Sequence, residues 1–270
     1  MRQLPLYQVD AFSKDTFGGN PAAVVPVPVF PPDELMQNIA SENNLSETAF
    51  VTVRGAGKFH IRWFTPAMEV RLCGHATLAS AHILYQSSEA KPEKMLFRTE
   101  EAGTITVRPN KNGSYSMDFP LDTPQKIKSP KGLRSVLGGI KPLEVHLGTD
   151  DLVVVLKNRK QVENLKPNLP LLAGMKKYRG LLVTAPGKKY DFVSRGFFPY
   201  YGIDEDPVTG SAHTVLTPLW AKKLGKKKLT ARQVSKRGGD LLCEVRGKKV
   251  RLTGHAVTYL TGQILLKNEL

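Results

Sequence analysis

Three consecutive carboxylates, Asp204-Glu205-Asp206, followed by Pro207-Val208-Thr209-Gly210-Ser211-Ala212-His213, are the part of this 270-residue chain best suited to chemistry. The Gly-Ser step opens an apolar, small-residue segment, Ala212 to Trp220, with the pattern of a helix start. Free backbone N–H groups at such a start hold an anionic oxygen, and the helix dipole favours negative charge there. Asp206, nearest the helix, shares that space; its plainer reading is an exposed loop charge like its two neighbours. Ser211 could bond a substrate oxygen or simply cap the helix.

The first half carries a counterpart, Phe64-Thr65-Pro66 running into Leu72-Cys73-Gly74-His75-Ala76-Thr77-Leu78. A shift of 133 residues superposes Phe64 on Phe197, Pro66 on Pro199 and Cys73 on Asp206. The chain therefore reads as duplicated, with a reactive group ahead of a buried helix in each half. His75 at the first helix start would be favoured neutral, a form suited to hydrogen bonding and proton transfer, unless it is a satisfied core histidine. His82, His213 and His255 are read as structural. A helix N-terminus activates a thiol such as Cys73. A paired-thiol racemase would need a second one, and Cys243 falls in an expected strand with no Gly-rich helix start.

Glu47 lies between Ser46 and Thr48, at a helix-to-strand junction ahead of Ala49-Phe50-Val51. A half-buried position beside apolar residues suits a carboxylate that takes and returns a proton. The alternative is an ordinary surface-loop glutamate. No Walker loop, zincin helix, dinucleotide fingerprint or CxxC ligand set is present, so chemistry without cofactor or metal is the expectation. Gly55-Ala56-Gly57-Lys58 is expected to be a hairpin turn.

The elements that must position these groups follow from periodicity. Leu6–Asp10 and Ala22–Val27 are expected strands around the tight loop Phe17-Gly18-Gly19-Asn20-Pro21, and Pro31-Pro32-Asp33 opens a helix facing inward through Leu35, Ile39 and Ala40. Phe59–Phe64 alternates like a strand, and the helix from Gly74 to about Tyr85 is apolar all round, the mark of a buried helix. Met95–Glu100, Thr104–Arg108 and Ser114–Phe119 are further strands. Leu121–Gly139, rich in Pro, Lys and Gly, is the expected linker. In the second half, strands Leu143–Leu147, Leu152–Leu156, Leu181–Ala185 and Tyr190–Phe197, with a short helix near Leu169–Lys176, precede the helix Gly210–Leu224. Pro218 is expected to kink that helix, and a hairpin turns at Arg246-Gly247. The expected class is α+β: two β-barrel-like or strongly curved sheets, each around one buried helix, with a cleft between them. The domain boundaries are 1–120, to which a strand at 259–270 returns, and 121–258.

A composition of 41% hydrophobic and 23% charged residues is that of an ordinary globular protein. No apolar run reaches the length of a membrane span, and two unpaired cysteines favour a reducing, cytoplasmic setting. The net charge is +15, and the stretch Lys222–Arg251 carries 12 Lys and Arg against Asp240 and Glu244. That stretch holds no aromatic residue, so the stacking platform of a single-strand binder is missing and a nucleic-acid partner is disfavoured. A solvated lysine face, or a field steering a small anionic substrate, is the better reading. A homodimer is left open, and no membrane partner is expected.

Phe17-Gly18-Gly19-Asn20-Pro21-Ala22-Ala23-Val24, Asn44-Leu45-Ser46-Glu47-Thr48-Ala49-Phe50, Phe64-Thr65-Pro66, Cys73-Gly74-His75-Ala76-Thr77-Leu78 and Glu205-Asp206-Pro207-Val208-Thr209-Gly210-Ser211-Ala212-His213 occur in one order. Together they resemble the PhzF-like family of phenazine-biosynthesis isomerase-like proteins, over essentially the whole chain. The resemblance implies the diaminopimelate-epimerase-like fold, two pseudo-symmetric barrel domains with the site in their cleft. It also implies a cofactor-free isomerisation by proton transfer, similar to that of trans-2,3-dihydro-3-hydroxyanthranilate isomerase. By that resemblance Glu47 moves the proton, and His75, Asp206 and Ser211 position the substrate. Gly74 and Gly210 would let backbone N–H groups reach its carboxylate. The alternatives are an amino-acid racemase or epimerase using Cys73 and a carboxylate, or a non-catalytic binding protein on the same fold.

Overall fold

The structure is a computed structural model and describes residues 2–267. The chain runs through β1 (Arg2–Ala11), β2 (Asn20–Pro26), α1 (Asp33–Asn43), β3 (Glu47–Gly55), β4 (Lys58–Phe64), β5 (Glu69–Val70), α2 (Gly74–Ser87), β6 (Met95–Arg98), β7 (Thr104–Pro109) and β8 (Tyr115–Pro120). It continues through β9 (Gln125–Lys126), α3 (Leu133–Val136), β10 (Glu144–Leu147), β11 (Asp151–Val155), α4 (Arg159–Glu163), α5 (Leu169–Ala173), β12 (Gly180–Pro186) and β13 (Phe192–Phe198). Last come β14 (Ile203–Asp206), α6 (Gly210–Leu224), β15 (Lys228–Gln233), β16 (Gly239–Arg246), β17 (Lys249–Gly254) and β18 (Ala256–Leu266). Two compact units result, one formed by residues up to Asp118 with those from Thr253 on, the other by Phe119–Leu252. No helix among the described residues is long and apolar enough to cross a membrane.

In the first unit β1 pairs antiparallel with β2 and β18, β2 runs parallel to β3, β3 is antiparallel to β4, and β4 is parallel to β6. The sheet continues through β7 and β8. The helix α2 packs against β1, β2, β3, β7 and β18, so it meets sheet on several sides. This explains why its small and apolar residues, Ala76, Leu78, Ala79 and Ala81, are all buried. Its two buried hydroxyl residues, Thr77 and Ser80, bond back to the carbonyls of Cys73 and Ala76 and so leave no orphan hydroxyl. On the outer face Met36, Ile39 and Ala40 of α1 pack with Val25, Phe50 and Phe64. Met36 is thus the buried residue of the first helical turn, whereas Leu35 is only partly covered.

The second unit repeats this pairing. β10 and β11 are antiparallel, β11 and β12 parallel, β12 and β13 antiparallel, β13 and β15 parallel, and β15 and β16 antiparallel. Its central helix α6 is fixed by Trp220, which stacks on Phe192 (centroids 5.8 Å apart) and donates its Nε1–H to Thr184 Oγ1 at 2.9 Å. The helix continues through Pro218; the carbonyl of Thr214 that this proline leaves without its usual donor accepts from the Asp122 N–H. Three short helices, α3 to α5, occupy the outer face, where Leu133, Val136, Val162 and Leu172 pack on Val154, Leu181, Val183 and Val193. Each unit is therefore a curved sheet around one apolar helix, the α+β architecture expected.

Several expectations need correction. Leu121–Gly139 is not a free linker: it contains β9 and α3, and Leu133, Val136 and Leu137 are core residues whose apolar spacing its Pro, Lys and Gly content obscured. Ile203–Asp206 is strand rather than loop, and Lys228–Gln233, which follows Lys226-Lys227 inside the basic stretch, is a strand that pairs with both β13 and β16. The C-terminal strand begins at Ala256 and ends at Leu266; residues 268–270 of the expected strand lie outside the described residues. The offset of 133 holds from Glu47 and Gly180 to Phe64 and Phe197, each pair in matching strands. It then fails. Trp63 pairs with Val70 and its equivalent Gly196 pairs with Asp206, because the turn Pro199–Tyr201 adds three residues. The residue preceding helix α6 in the place of Cys73 is Thr209, not Asp206, and His75 corresponds to Ser211.

Candidate active site

Glu47 owes its position to the end of α1. Asn44 closes that helix in the left-handed conformation, φ 48°, and turns the chain back so that Glu47 is the first residue of β3, opposite Ala22 of β2. Asn43 ties the turn to the strand by donating to Thr48 Oγ1 at 3.1 Å. The Glu47 side chain is 13% exposed, and its Oε2 lies 2.9 Å from Nε2 of the 7% exposed His75 ring. That oxygen is buried and has no aligned hydrogen bond, so the ring N–H does not point straight at it. A buried polar atom without a partner is uncommon and calls for an explanation, a catalytic role among them.

His75 sits in the first turn of α2, one residue after Gly74. Its Nδ1 lies 3.2 Å from Asn20 Nδ2 and 3.5 Å from Cys73 Sγ. Asn20 opens β2 and is aimed by the preceding Gly19, whose φ is +66°. A Cβ on Gly19 would fall 2.1 Å from the Ala11 carbonyl oxygen, so only glycine fits. The loop itself is held by the buried Asp10, whose Oδ2 accepts from the Phe17 N–H at 2.8 Å. Ser46, just before Glu47, donates to Asn20 Oδ1 at 3.0 Å.

Burial pushes the Cys73 thiol up to about 11, and the Glu47 charge adds to this, so near neutrality the sulfur keeps its proton. For His75 burial alone acts downward; a Cys73 thiolate and Glu47 act upward and together outweigh it. Because the thiol is protonated near neutral pH, of these two only Glu47 acts there, raising the affinity of Nε2 for its proton. Glu47, Cys73 and His75 are also the group of potential metal ligands among the described residues, their ligating atoms within 4.8 Å of one another. Of the two imidazole nitrogens, Nδ1 stands against Asn20 Nδ2 and Nε2 faces the Glu47 carboxylate.

In the second unit Asp206 ends β14, three residues before Thr209, the N-cap of α6. Thr209 Oγ1 donates to Asp206 Oδ2, and Gln233 Nε2 donates to the Asp206 carbonyl at 2.7 Å. Gln233 Oε1 in turn accepts the Thr209 N–H at 2.9 Å. Ser211 does not cap the helix, whose N-cap residue is Thr209; instead its Oγ accepts from Arg179 Nη2 at 3.1 Å. Arg179 is forked onto the buried Asp151, which burial pushes up against the pull of the guanidinium. Gly210 is the first helical residue and is buried. His213 donates from Nδ1 to the Thr209 carbonyl, which makes it a structural residue, and His82 bonds Thr258 inside the first unit. The basic stretch folds as the end of α6 with β15 to β17, where Arg232 pairs with Asp240.

Asn20, Ser46, Thr209, Arg179 and Gln233 were not singled out from the sequence. For Asn20 a signal existed: two glycines before an asparagine at a strand start mark a forced backbone. Gln233 and Arg179 gave none, since each reaches the helix start only through tertiary pairing.

One apolar helix inside one curved sheet, built twice on the same strand pairing, is the fold of diaminopimelate-epimerase-like isomerases and racemases. A hydroxyproline epimerase from Agrobacterium vitis shares that fold at a TM-score of 0.63 and 12% identity, with 99% of this chain and 94% of that one covered. The chain belongs to the phenazine biosynthesis-like protein family, whose profile matches residues 9–262. It is 47% identical over 264 residues to an uncharacterized isomerase of Pseudomonas aeruginosa, covering 98% of this chain and 99% of that protein. Phenazine biosynthesis-like domain-containing protein 1 of Mus musculus is 38% identical over 287 residues, covering 97% and 99%. The crystal structure of a PhzF family protein from Enterococcus faecalis superposes with a TM-score of 0.94 at 43% identity, covering 98% and 100%. These relatives support an enzyme of the isomerase type.

Proposed function

We propose that the protein is a cofactor-independent isomerase that moves one proton on a small, carboxylate-bearing substrate, a reaction similar to that of trans-2,3-dihydro-3-hydroxyanthranilate isomerase. The observation that carries this reading is Glu47 Oε2, buried, 2.9 Å from His75 Nε2 and without an aligned hydrogen bond. In the proposed step Glu47 takes a proton from a substrate carbon, and the electron pair of the broken C–H bond is delocalised into the substrate. The same carboxylic acid then returns the proton to another carbon. Nothing is oxidised or reduced. His75 stabilises the developing charge through its N–H, and backbone N–H groups at Gly74 offer the preorganised dipoles that such charge needs. Asp206, held as an acceptor by Thr209, and Ser211 with the N–H groups at Gly210 are assigned the orientation of the substrate. The partner is thus a small anion, with the basic stretch 222–251 as a steering field rather than a nucleic-acid face.

Cys73 argues against the racemase reading. The position matching it in the second unit is Thr209, which supplies no second thiol. The test is a thermal-shift screen of small cyclic and amino carboxylates, followed by incubation of each binder with the enzyme in deuterium oxide. Deuterium entering a rearranged product supports isomerisation. Deuterium entering only with inversion at one carbon points to a racemase, and binding without any exchange points to a non-catalytic binding protein.

A further inference from the structure

Hydrogen-bond bookkeeping around His75 assigns a role to two residues that do not face a substrate. Ser46 Oγ and Asn20 Oδ1 are 3.0 Å apart, and Asn20 Nδ2 and His75 Nδ1 are 3.2 Å apart. A serine hydroxyl turned toward the amide oxygen leaves the amide nitrogen, which can only donate, against Nδ1. A ring nitrogen that accepts carries no proton. Glu47 pulls the ring toward a second proton, and an amide N–H standing against Nδ1 opposes it, so the one ring proton is on Nε2, the atom 2.9 Å from Glu47. We propose that Asn20, oriented by Ser46, is a positioning residue that fixes His75 as the neutral Nε2–H tautomer and thereby places its one proton beside the proton carrier Glu47.

The assignment rests on the isomerase reading for its purpose and on local geometry for its substance. Which imidazole nitrogen holds the proton is set by the bond that the other one makes. Both carrier and donor must act within one small space, and an imidazole with its proton on Nδ1 would turn a lone pair toward Glu47, repelling the carboxylate and donating nothing to the substrate. The forced conformation at Gly19 belongs to the same device, since it places Asn20 at the strand start with its amide toward the ring. Cys73 lies against the same nitrogen at 3.5 Å, but a thiol is a weak donor and a weak acceptor and so does not choose between the tautomers. The choice is made by Asn20, whose amide nitrogen can only donate.

The experiment is heteronuclear NMR on full-length protein labelled with nitrogen-15 in its histidine rings near neutral pH, with His75 assigned by its disappearance in His75→Gln. The expected result is an unprotonated Nδ1 and a protonated Nε2. Asn20→Asp keeps the shape but exchanges the donor for an acceptor, and it should move the proton onto Nδ1 or protonate both nitrogens. With a substrate from the carboxylate screen, the same variant should lose about 10- to 100-fold in turnover at little change in KM, the size of effect seen when the partner that orients a metal-ligating histidine is removed. Ser46→Ala, which leaves the strand pairing intact, should give a mixture of tautomers and a smaller loss. It keeps the question answerable if Asn20→Asp folds poorly. A protonated Nδ1 in the wild type, or an unchanged tautomer in both variants, overturns the inference. The spectra need no substrate, so the outcomes separate: the expected tautomer with no carboxylate turned over sinks the isomerase reading alone, and turnover with the proton on Nδ1 sinks only the role of Asn20.

Discussion

Acid should destabilise this protein through two histidines that take no part in the chemistry. His213 is fully buried in α6; its Nδ1 donates to the Thr209 carbonyl at 2.8 Å, its Nε2 is buried without a partner, and Phe192 lies against the ring. Burial pushes it down to about 4, and burial does the same to His82 in α2. In the unfolded chain both return to about 6.5. Below that value the unfolded state takes up a proton that the native state refuses. The stability is therefore fully present above pH ~6.5 and lost as the pH falls toward about 4. At pH 5 the loss is about 2 kcal/mol for His213, approaching about 3 kcal/mol at lower pH, with a smaller contribution from the less deeply placed His82. Paired carboxylates such as Asp33 and Glu144, held low first of all by hydrogen bonds from Arg62 and Lys223, act at lower pH still. The assay is urea unfolding of wild type and His213→Gln between about pH 7.5 and 5, where the m-value should stay constant and the difference between the two proteins should shrink on acidification. A difference that does not change with pH would refute the assignment of a depressed, neutral His213.

Three further outcomes follow from the same structure. Cys73→Ala should keep proton exchange within a few-fold of wild type, because the thiol holds its proton to about 11; a loss as large as that of a Glu47 variant would move the account to the racemase reading. Thr184→Val leaves the buried Trp220 Nε1–H without its acceptor and should cost about 1–3 kcal/mol in urea unfolding, with Thr184→Ser close to wild type. Gly19→Ala puts a Cβ against the Ala11 carbonyl at a φ of +66° and should cost more than about 2 kcal/mol, with a crystal structure showing Asn20 drawn away from His75.

What the sequence disclosed was whatever short range physics controls. The two buried helices were legible because residues such as Ala76, Leu78 and Ala79 are apolar or small on every side, and the strand Phe59–Phe64 because it alternates. The place of Glu47 at a strand start after a helix was legible from Asn43-Asn44 and the apolar run behind it. Lys228–Gln233 was not, since it sits inside a basic stretch that resembles a solvated face and its strand character comes from pairing on both edges. The duplication was legible in Phe64 and Phe197, but a fixed offset could not register three added residues at Pro199–Tyr201, and so it matched Cys73 with the wrong partner. Asn20 and His75 are 55 positions apart, and Arg179 and Ser211 are 32 apart. Such contacts are made by the sheet register, which no local pattern encodes.

The central claim is that Glu47 carries the proton while Asp206 orients the substrate. It is tested by comparing Glu47→Gln with Asp206→Asn on one substrate from the carboxylate screen, with affinity and solvent-deuterium incorporation measured separately. The proposed roles predict that Glu47→Gln binds nearly as well as wild type and loses about 10²–10⁴-fold in exchange, the usual contribution of a general acid–base group. Asp206→Asn should instead lose affinity first. Glu47→Gln exchanging the substrate proton at close to the wild-type rate would contradict the account, and the carrier would then have to be Asp206 or Cys73.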